Sequence, residues 1–124
     1  MSYALQKVVR DLQQHGNQII RKLTAELHRE LLLNTPIDTG HCQSNWIVSH
    51  GAPTVSVVGS KQHVDATTAP ASLAAVLGAR DLLKSTTYIC NNVHYVGALN
   101  DGYSPQQPAG FVERAILVSV ARLR

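Results

Sequence analysis

The triplet Asp38-Thr39-Gly40 is the strongest candidate for catalysis in this sequence. Aspartic proteases carry a catalytic carboxylate in an Asp-Thr-Gly triplet, and a short chain with one copy would supply half of a dimeric pair that shares a proton. That active site lies on an all-β framework, whereas here a long helical pattern and Pro36 precede the triplet. We therefore interpret Asp38 or Thr39 as a turn or capping residue, with Gly40 supplying permissive backbone. A dimeric protease is the alternative from the class of enzymes.

The remaining residues suited to chemistry are six histidines and two cysteines, which are scattered along the chain: His15, His28, His41, His50, His63, His94, Cys42 and Cys90. His41-Cys42 and the later Cys90 and His94 could converge in space, but zinc sites usually show more closely spaced ligand pairs. We therefore interpret the histidines as single surface or hydrogen-bonded residues. The sequence also lacks a glycine-rich phosphate loop and a nucleophile elbow. We predict no catalytic, cofactor-binding or metal-binding residue, and two free thiols.

The composition predicts one domain, spanning residues 1–124, that covers part of its surface with a partner. Charged residues make up 15% of the chain, against roughly 25% in typical soluble domains. A small domain has much surface for its volume, so a charge-poor chain is expected to bury some of that surface against another molecule. The formal charge of +3 comes from dispersed basic residues. A small DNA-binding regulator, a third class of function, would concentrate that charge on one face.

A long amphipathic helix is predicted from about residue 3 to residue 33. Apolar residues recur at steps of three and four, and polar residues occupy the opposite side. About 30 residues at 1.5 Å each reach roughly 45 Å, which exceeds the roughly 30 Å diameter of a small domain. We expect the helix to extend beyond its own core, to contact a neighbouring subunit and to end before Pro36. No apolar run is long enough to span a membrane, so folding in the cytoplasm of the producing cell is expected.

Short elements are predicted between this helix and the end of the chain. Residues 44–50 are predicted to form a strand with Trp46, Val48 and His50 on one face. A weaker strand is predicted at residues 54–58, and another strand at residues 86–90. Residues 61–70 resemble a surface loop, and residues 71–83 favour a short helix.

The C-terminal part reads as an irregular segment, residues 99–110, followed by a helix at residues 111–123. Apolar residues nearly encircle this last helix, so we expect it to be covered on most sides. The predicted fold class is α+β: a long N-terminal helix and a C-terminal helix packed on a small, mainly antiparallel sheet.

Three segments, taken in order, carry a resemblance to a known family. They are residues 34–40 (NTPIDTG) followed by Ser44-Asn45-Trp46, residues 87–95 (TYICNNVHY) running into Leu99-Asn100-Asp101-Gly102, and residues 104–112 (SPQQPAGFV). Together they resemble the phage morphogenesis family of tail-completion, or neck, proteins. In that family a Thr-Pro-x-Asp-Thr-Gly turn, an Asn-Asn-x-x-Tyr segment and a Gln-x-Pro-Ala-Gly turn recur in this order. His41 and Asn100 depart from the basic and acidic residues usual at those positions.

The resemblance implies a structural virion protein of the phage neck, assembled in the host cytoplasm. Its subunits would form a homo-oligomeric ring, a hexamer or else a dodecamer, between the portal or adaptor protein and the tail terminator or tail tube protein. DNA would pass through the ring without specific contacts, and no membrane is involved. A tail-terminator ring is the alternative within the same particle.

In this interpretation the motif residues fix shape or contact partners. They are Pro36, Asp38, Thr39, Gly40, Trp46, Asn91, Asn92, Tyr95, Gly102, Gln107, Pro108, Gly110 and Phe111. The first and last helices are expected to carry part of the ring contact. The loop at residues 59–70 and the turn at residues 102–110 are expected to face the neighbouring rings.

Overall fold

The computed structural model describes residues 2–36, 42–57, 71–102 and 104–123. Its longest element is helix α1, Tyr3–Asn34. The hydroxyl of Ser2 caps the helix by accepting a hydrogen bond from the Leu5 N–H at 3.3 Å. The helix ends at Asn34, and Thr35 has extended backbone, as expected of a residue that precedes Pro36.

Two short strands form an antiparallel sheet: β1, Ile47–His50, and β2, Thr87–Cys90. Ile47 lies opposite Cys90, and His50 lies opposite Thr87. Both strands were predicted, but the first begins three residues later than expected because residues 43–45 form a 3-10 turn. Trp46 and Val48 are buried and His50 is partly buried.

The predicted strand at residues 54–58 is wrong for the part that the structure describes. Residues 54–57 pair with no strand among the described residues, although their Thr and Val content favours β structure. The predicted helix at residues 71–83 is shorter than expected: α2 covers Ala71–Leu77, and a 3-10 turn follows at Leu82–Lys84.

The core consists of two apolar clusters that meet at β2. The first cluster packs the C-terminal half of α1 against the last helix; its buried members are Leu31, Leu32, Trp46, Phe111 and Ala115. The second packs α2 against the sheet; its buried members are Val48, Leu73, Val76 and Leu82. Ile89 contacts both clusters and therefore joins them.

Polar side chains of α1 hold the segment that follows α2. The side-chain carbonyl of Asn17 accepts a hydrogen bond from the Leu82 N–H at 2.6 Å. The guanidinium of Arg21 donates to the carbonyls of Ala79 at 2.7 Å and Leu77 at 3.2 Å. Without these bonds, the backbone groups of this segment would lie against α1 with no hydrogen-bond partner. The bonds also fix α2 to the middle of α1.

The C-terminal region contains two helices, α3 (Val96–Asn100) and α4 (Phe111–Ala121). The predicted irregular segment therefore starts after Asn100 rather than at residue 99. Within one chain α4 is not covered on most sides, contrary to expectation. Phe111, Ala115 and Ser119 are buried, whereas Leu117 is 70% exposed.

The N-terminal part of α1 extends beyond the core, as predicted. Residues 2–15 are exposed apart from the partly buried Val9, and the first buried residue is Asn17. No helix of the described residues is both long and apolar enough to cross a membrane. The first 13 of the 32 residues of α1 therefore lie largely outside the described core.

Helix α4 allows a matched test of this division between buried and exposed apolar residues. Phe111→Ala is expected to lower the free energy of unfolding by about 3–5 kcal/mol, because its side chain is fully buried. Leu117→Ala should change it by less than about 0.5 kcal/mol. Urea denaturation at concentrations too low for association measures both. An equal loss in the free energy of unfolding for the two variants would contradict the packing. If Phe111→Ala does not fold, the milder Phe111→Leu replaces it in the comparison.

His28 makes the stability of the fold sensitive to acid. Burial lowers the pKa of its imidazole, and this effect outweighs the opposing hydrogen bond to the Trp46 carbonyl. The folded state therefore favours neutral His28. Its stabilising contribution is complete above the ordinary pKa of about 6.5 and is lost as the pH falls below that value. The free energy of unfolding should fall between pH 7.5 and pH 5 more steeply in the wild type than in His28→Gln, and parallel pH profiles would refute this.

Candidate functional site

The residues of the first motif fasten the end of α1 to the start of the sheet. The indole N–H of Trp46 donates to the Thr35 hydroxyl at 2.7 Å, and that hydroxyl donates in turn to the Leu31 carbonyl. The side-chain amide of Gln43 donates to the Leu32 carbonyl at 2.9 Å. Both of these carbonyls belong to the last turn of the helix, whose carbonyl groups have no N–H partner within the helix. Pro36 is buried, while Asp38, Thr39 and Gly40 lie outside the described residues.

The second motif joins the end of β2 to two other segments. The side chain of Asn91 donates to the Cys42 carbonyl at 2.8 Å and accepts from the Val93 N–H at 3.1 Å. The side chain of Asn92 donates to the Thr54 carbonyl at 2.8 Å. Tyr95 precedes the first residue of α3, and its ring contacts His94 edge-to-face with 5.0 Å between centroids.

The cysteines beside this motif are free thiols, as predicted. Cys42 is buried, and burial raises the pKa of its thiol to about 11 in spite of a hydrogen bond from Asn91. A thiol in this environment stays protonated at neutral pH and is a poor nucleophile. Cys42 thus acts as a small apolar residue rather than a reactive group.

The third motif is a turn fixed by Asn100 before it and by Arg114 after it. The Asn100 carbonyl accepts from the Gly110 N–H at 2.7 Å, and its side-chain oxygen accepts from the Val112 N–H at 2.9 Å. Arg114 donates to the carbonyls of Ala109 at 2.6 Å and Pro108 at 3.3 Å, and to the Gln107 side chain at 3.4 Å. The turn is therefore held at both ends.

Two glycines of this turn occupy backbone conformations that other residues avoid. Gly102 has φ +95°, and Gly110, immediately before Phe111, has φ +83°. A Cβ at Gly102 would lie 3.3 Å from the backbone and side chain of Ala109. Asn100 and Arg114 were missed as shape-determining residues because their partners are backbone groups of the folded turn, which no local pattern reveals.

These geometries leave the motif residues without a catalytic arrangement among the described residues. Their donors and acceptors are used on backbone groups that end helices and close turns. Within the described ranges, no three His, Cys, Asp or Glu residues lie close enough together to hold a metal ion. The arrangement suits the fixing of a surface for contact with other molecules.

An apolar groove lies between α1 and β2. Its volume is about 420 Å³, and it is lined by Ile20, Leu23, Thr24, Leu27, Ser85, Thr86, Thr87 and Ile89. None of these lining residues carries an ionisable group. The groove therefore suits an apolar or backbone ligand rather than a charged substrate.

A second apolar stripe runs along α1, separate from the face that contacts the core. Its members are Leu5, Val8, Leu12 and Ile19, which are 41–65% exposed. At about 100° per residue, the stripe is centred about 150° around the helix from the buried residues Asn17, Thr24 and His28. The spacing of three and four residues is that of a helix face that packs against another helix.

Helix α4 carries a comparable exposed face. Ile116 is 43% exposed, Leu117 70% and Val120 51%, and the three lie well away from the buried Phe111 and Ala115. Apolar side chains grouped in this way on two helices are unusual on a monomer surface. We take the stripe of α1 and this face of α4 as the candidate assembly surfaces.

Asn100 offers a test of the turn. Its amide N–H groups lie 3.0 Å from both carboxylate oxygens of Glu113, and this hydrogen bond is the main cause that lowers the pKa of that exposed carboxyl. Asn100→Asp would replace the donor with a second carboxylate, so the thermal midpoint should fall and the pKa of Glu113 should rise. Adding Glu113→Gln to Asn100→Asp should restore the midpoint, since the repulsion is removed. Calorimetry and NMR titration measure the two effects, and a double variant no more stable than Asn100→Asp would argue against this account.

Comparison with known proteins gives no relative for this chain: no family model, no curated protein and no solved structure matches it. The resemblance to the phage neck family is accordingly carried by the three motifs alone. What the protein does has to be inferred from those motifs, from the contacts they make and from the exposed apolar surfaces.

Proposed function

We propose that this chain is a non-catalytic structural subunit of the neck of a tailed-phage particle. Copies of the chain form a ring that joins the head connector, made of portal and adaptor proteins, to the tail and lets DNA pass. One observation carries the proposal: two helices of a single chain expose grouped apolar residues that no described part of the chain covers. The ordered motifs support the assignment to a tailed-phage particle. The exposed apolar surfaces favour assembly, because association would remove them from water.

The exposed N-terminal part of α1, residues 3–15, is the first of these surfaces. Tyr3 is 74% exposed and Leu12 65% exposed, and most of the residues around them are exposed as well. A helical segment of this length without packing is marginally stable in water. Full burial of each large apolar side chain contributes about 1.5–3 kcal/mol, so a neighbouring subunit would stabilise both the segment and the assembly.

The exposed face of α4 is the second surface, and it differs in sequence from the first. A contact between two different patches is heterologous, and it generates a ring when the rotation between subunits closes. A symmetric dimer would need only one self-complementary patch. Two unlike apolar patches on one chain therefore favour a ring over a dimer.

The basic residues suit a loose contact with passing DNA. Several are occupied within the chain: Arg21 and Arg114 hold backbone carbonyls, and Arg122 pairs with Glu26 and Glu30. The remaining positive charge is dispersed. Tight binding would need many simultaneous phosphate contacts, whereas a conduit must release DNA, so a small and scattered positive charge is adequate.

The turn made by Gly102 and residues 104–110 is suited to contact with an axial neighbour. Hydrogen bonds from both flanks hold it, and Pro105 and Pro108 restrict its backbone further. A preorganised loop loses little entropy when it binds. The other segment proposed for axial contacts, residues 59–70, lies outside the described residues.

The proposal predicts a concentration-dependent ring that depends on the stripe of α1. Purified wild-type protein should form rings that mass photometry and negative-stain microscopy detect at micromolar concentrations. Leu12→Asp should abolish the rings without loss of helical circular dichroism, because its side chain is 65% exposed in the single chain. Gln14→Asp, which adds the same charge to an exposed position on another side of the helix, should assemble like the wild type.

Specific results would overturn the proposed ring and its role. A wild-type chain that stays monomeric at all concentrations would overturn the proposed function, as would equal assembly of Leu12→Asp and Gln14→Asp. Within the particle, deletion of the gene should yield separate DNA-filled heads and free tails. Particles with tails attached in its absence would exclude a role in joining head to tail.

A further inference from the structure

Among the described residues, no strand pairs with the outer edge of β2. In an antiparallel pair, successive residues direct their backbone groups alternately toward and away from the partner strand. The Val48 N–H donates to the Ser72 hydroxyl at 3.3 Å, on the side away from β2, and the Gly51 N–H donates to the Thr86 carbonyl at 2.9 Å. With the observed register, Thr87 and Ile89 must direct their N–H and C=O groups away from β1.

Nothing in the described part of the chain uses these outward groups. The outer edge of β1 is covered by α2, through Ser72, but the outer edge of β2 faces the apolar groove between β2 and α1. No hydrogen bond from another described segment reaches the backbone of Thr87 or Ile89. Such an edge is a template for a further strand.

The chain also contains a segment with the properties of the missing strand. Thr54–Val57 was expected to be a strand from its β-branched residues, yet it pairs with nothing in the described structure. Val55 is 87% exposed and Val57 50% exposed. Asn92 holds one side of the segment, through the carbonyls of Thr54 at 2.8 Å and Ser56 at 3.5 Å. No described hydrogen bond uses the backbone of Val55 or Val57.

We propose that Thr54–Val57 of one copy adds as an antiparallel strand to the outer edge of β2 in the next copy. Val55 then lies opposite Ile89, and Val57 lies opposite Thr87. This inference rests on the proposed function and names one further contact between subunits of the ring, beside the exposed faces of α1 and α4.

The chemistry of the groove fits this occupant. Directly opposed residues in an antiparallel pair place their side chains on the same face of the sheet. Thr87 and Ile89 line the groove, so the two valines enter it and meet the apolar side chains of α1, among them Leu23 and Leu27. The added strand satisfies the free backbone groups while the valines lose their contact with water.

The donor and the acceptor are different segments, so the contact is heterologous and can be repeated from copy to copy around a ring. An antiparallel pair of this kind brings opposed Cα atoms to about 5.5 Å, within the range that a disulfide bridges. The register can therefore be read out by cross-linking.

The test uses two variants of the full chain, each with Cys90→Ser to remove the partly exposed native thiol. One carries Val57→Cys and the other Thr87→Cys. When the two are mixed and oxidised, any disulfide between these positions is intermolecular, and a non-reducing gel should show a cross-linked dimer. Each variant alone should give far less of it. Val57→Cys mixed with Lys84→Cys, whose lysine lies on the same chain outside the strand, serves as the mismatched control.

A second measurement does not depend on thiols. Val55→Pro removes the N–H that the added strand must donate and should weaken self-association about tenfold or more. Val55→Thr keeps the N–H and the branched shape and should retain association. Neither change should alter the monomer, because Val55 is 87% exposed.

The outcomes separate this inference from the proposed function. Rings that assemble normally from Val55→Pro, with no cross-link in the mixture, would refute the strand contact and leave the ring standing. Cross-linked chains that never close into rings would support the contact and overturn the neck function. A disulfide that forms only within one chain carrying both Val57→Cys and Thr87→Cys would show pairing in the same subunit and refute the contact, and a chain that never associates would overturn both.

Discussion

The attachment of the end of α1 to the start of the sheet is the interaction on which the rest of the structure depends. Trp46 reaches α1 in two ways: its indole N–H donates to Thr35, and its carbonyl accepts from the buried His28. With Trp46 in place, Phe111 and Leu32 complete the cluster that holds α4. If this attachment failed, the sheet and α4 would lose the surface on which they pack.

Polar side chains determine the shape around that cluster. Asn17 and Arg21 hold the segment after α2, Asn91 holds the turn before β1, and Asn100 and Arg114 hold the turn before α4. Each one binds backbone groups that regular structure leaves without partners. The two short strands among the described residues provide few ladder bonds. Side chains therefore supply the remaining constraints and hold the outer surfaces in place.

The same design leaves apolar surface uncovered. Three features lie outside the two core clusters: the exposed N-terminal part of α1, the exposed face of α4 and the outer edge of β2. A single small domain cannot surround a helix of 32 residues. Association with identical copies would bury all three features, and the unpaired strand segment at Thr54–Val57 would then be explained by a partner in the next subunit.

The sequence by itself determined the elements whose signals are local. The periodicity of α1, the stop at Pro36, the β-branched run at Thr87–Cys90 and the helix that begins at Phe111 each depend on residues close together in the chain. Tertiary structure alone decided which parts of those elements are buried and that Asn100 and Arg114 fix the last turn. It also decided that Thr54–Val57 pairs with no strand among the described residues. The physical reason is that burial and strand pairing depend on segments distant in sequence, whose contacts leave no pattern in either segment alone.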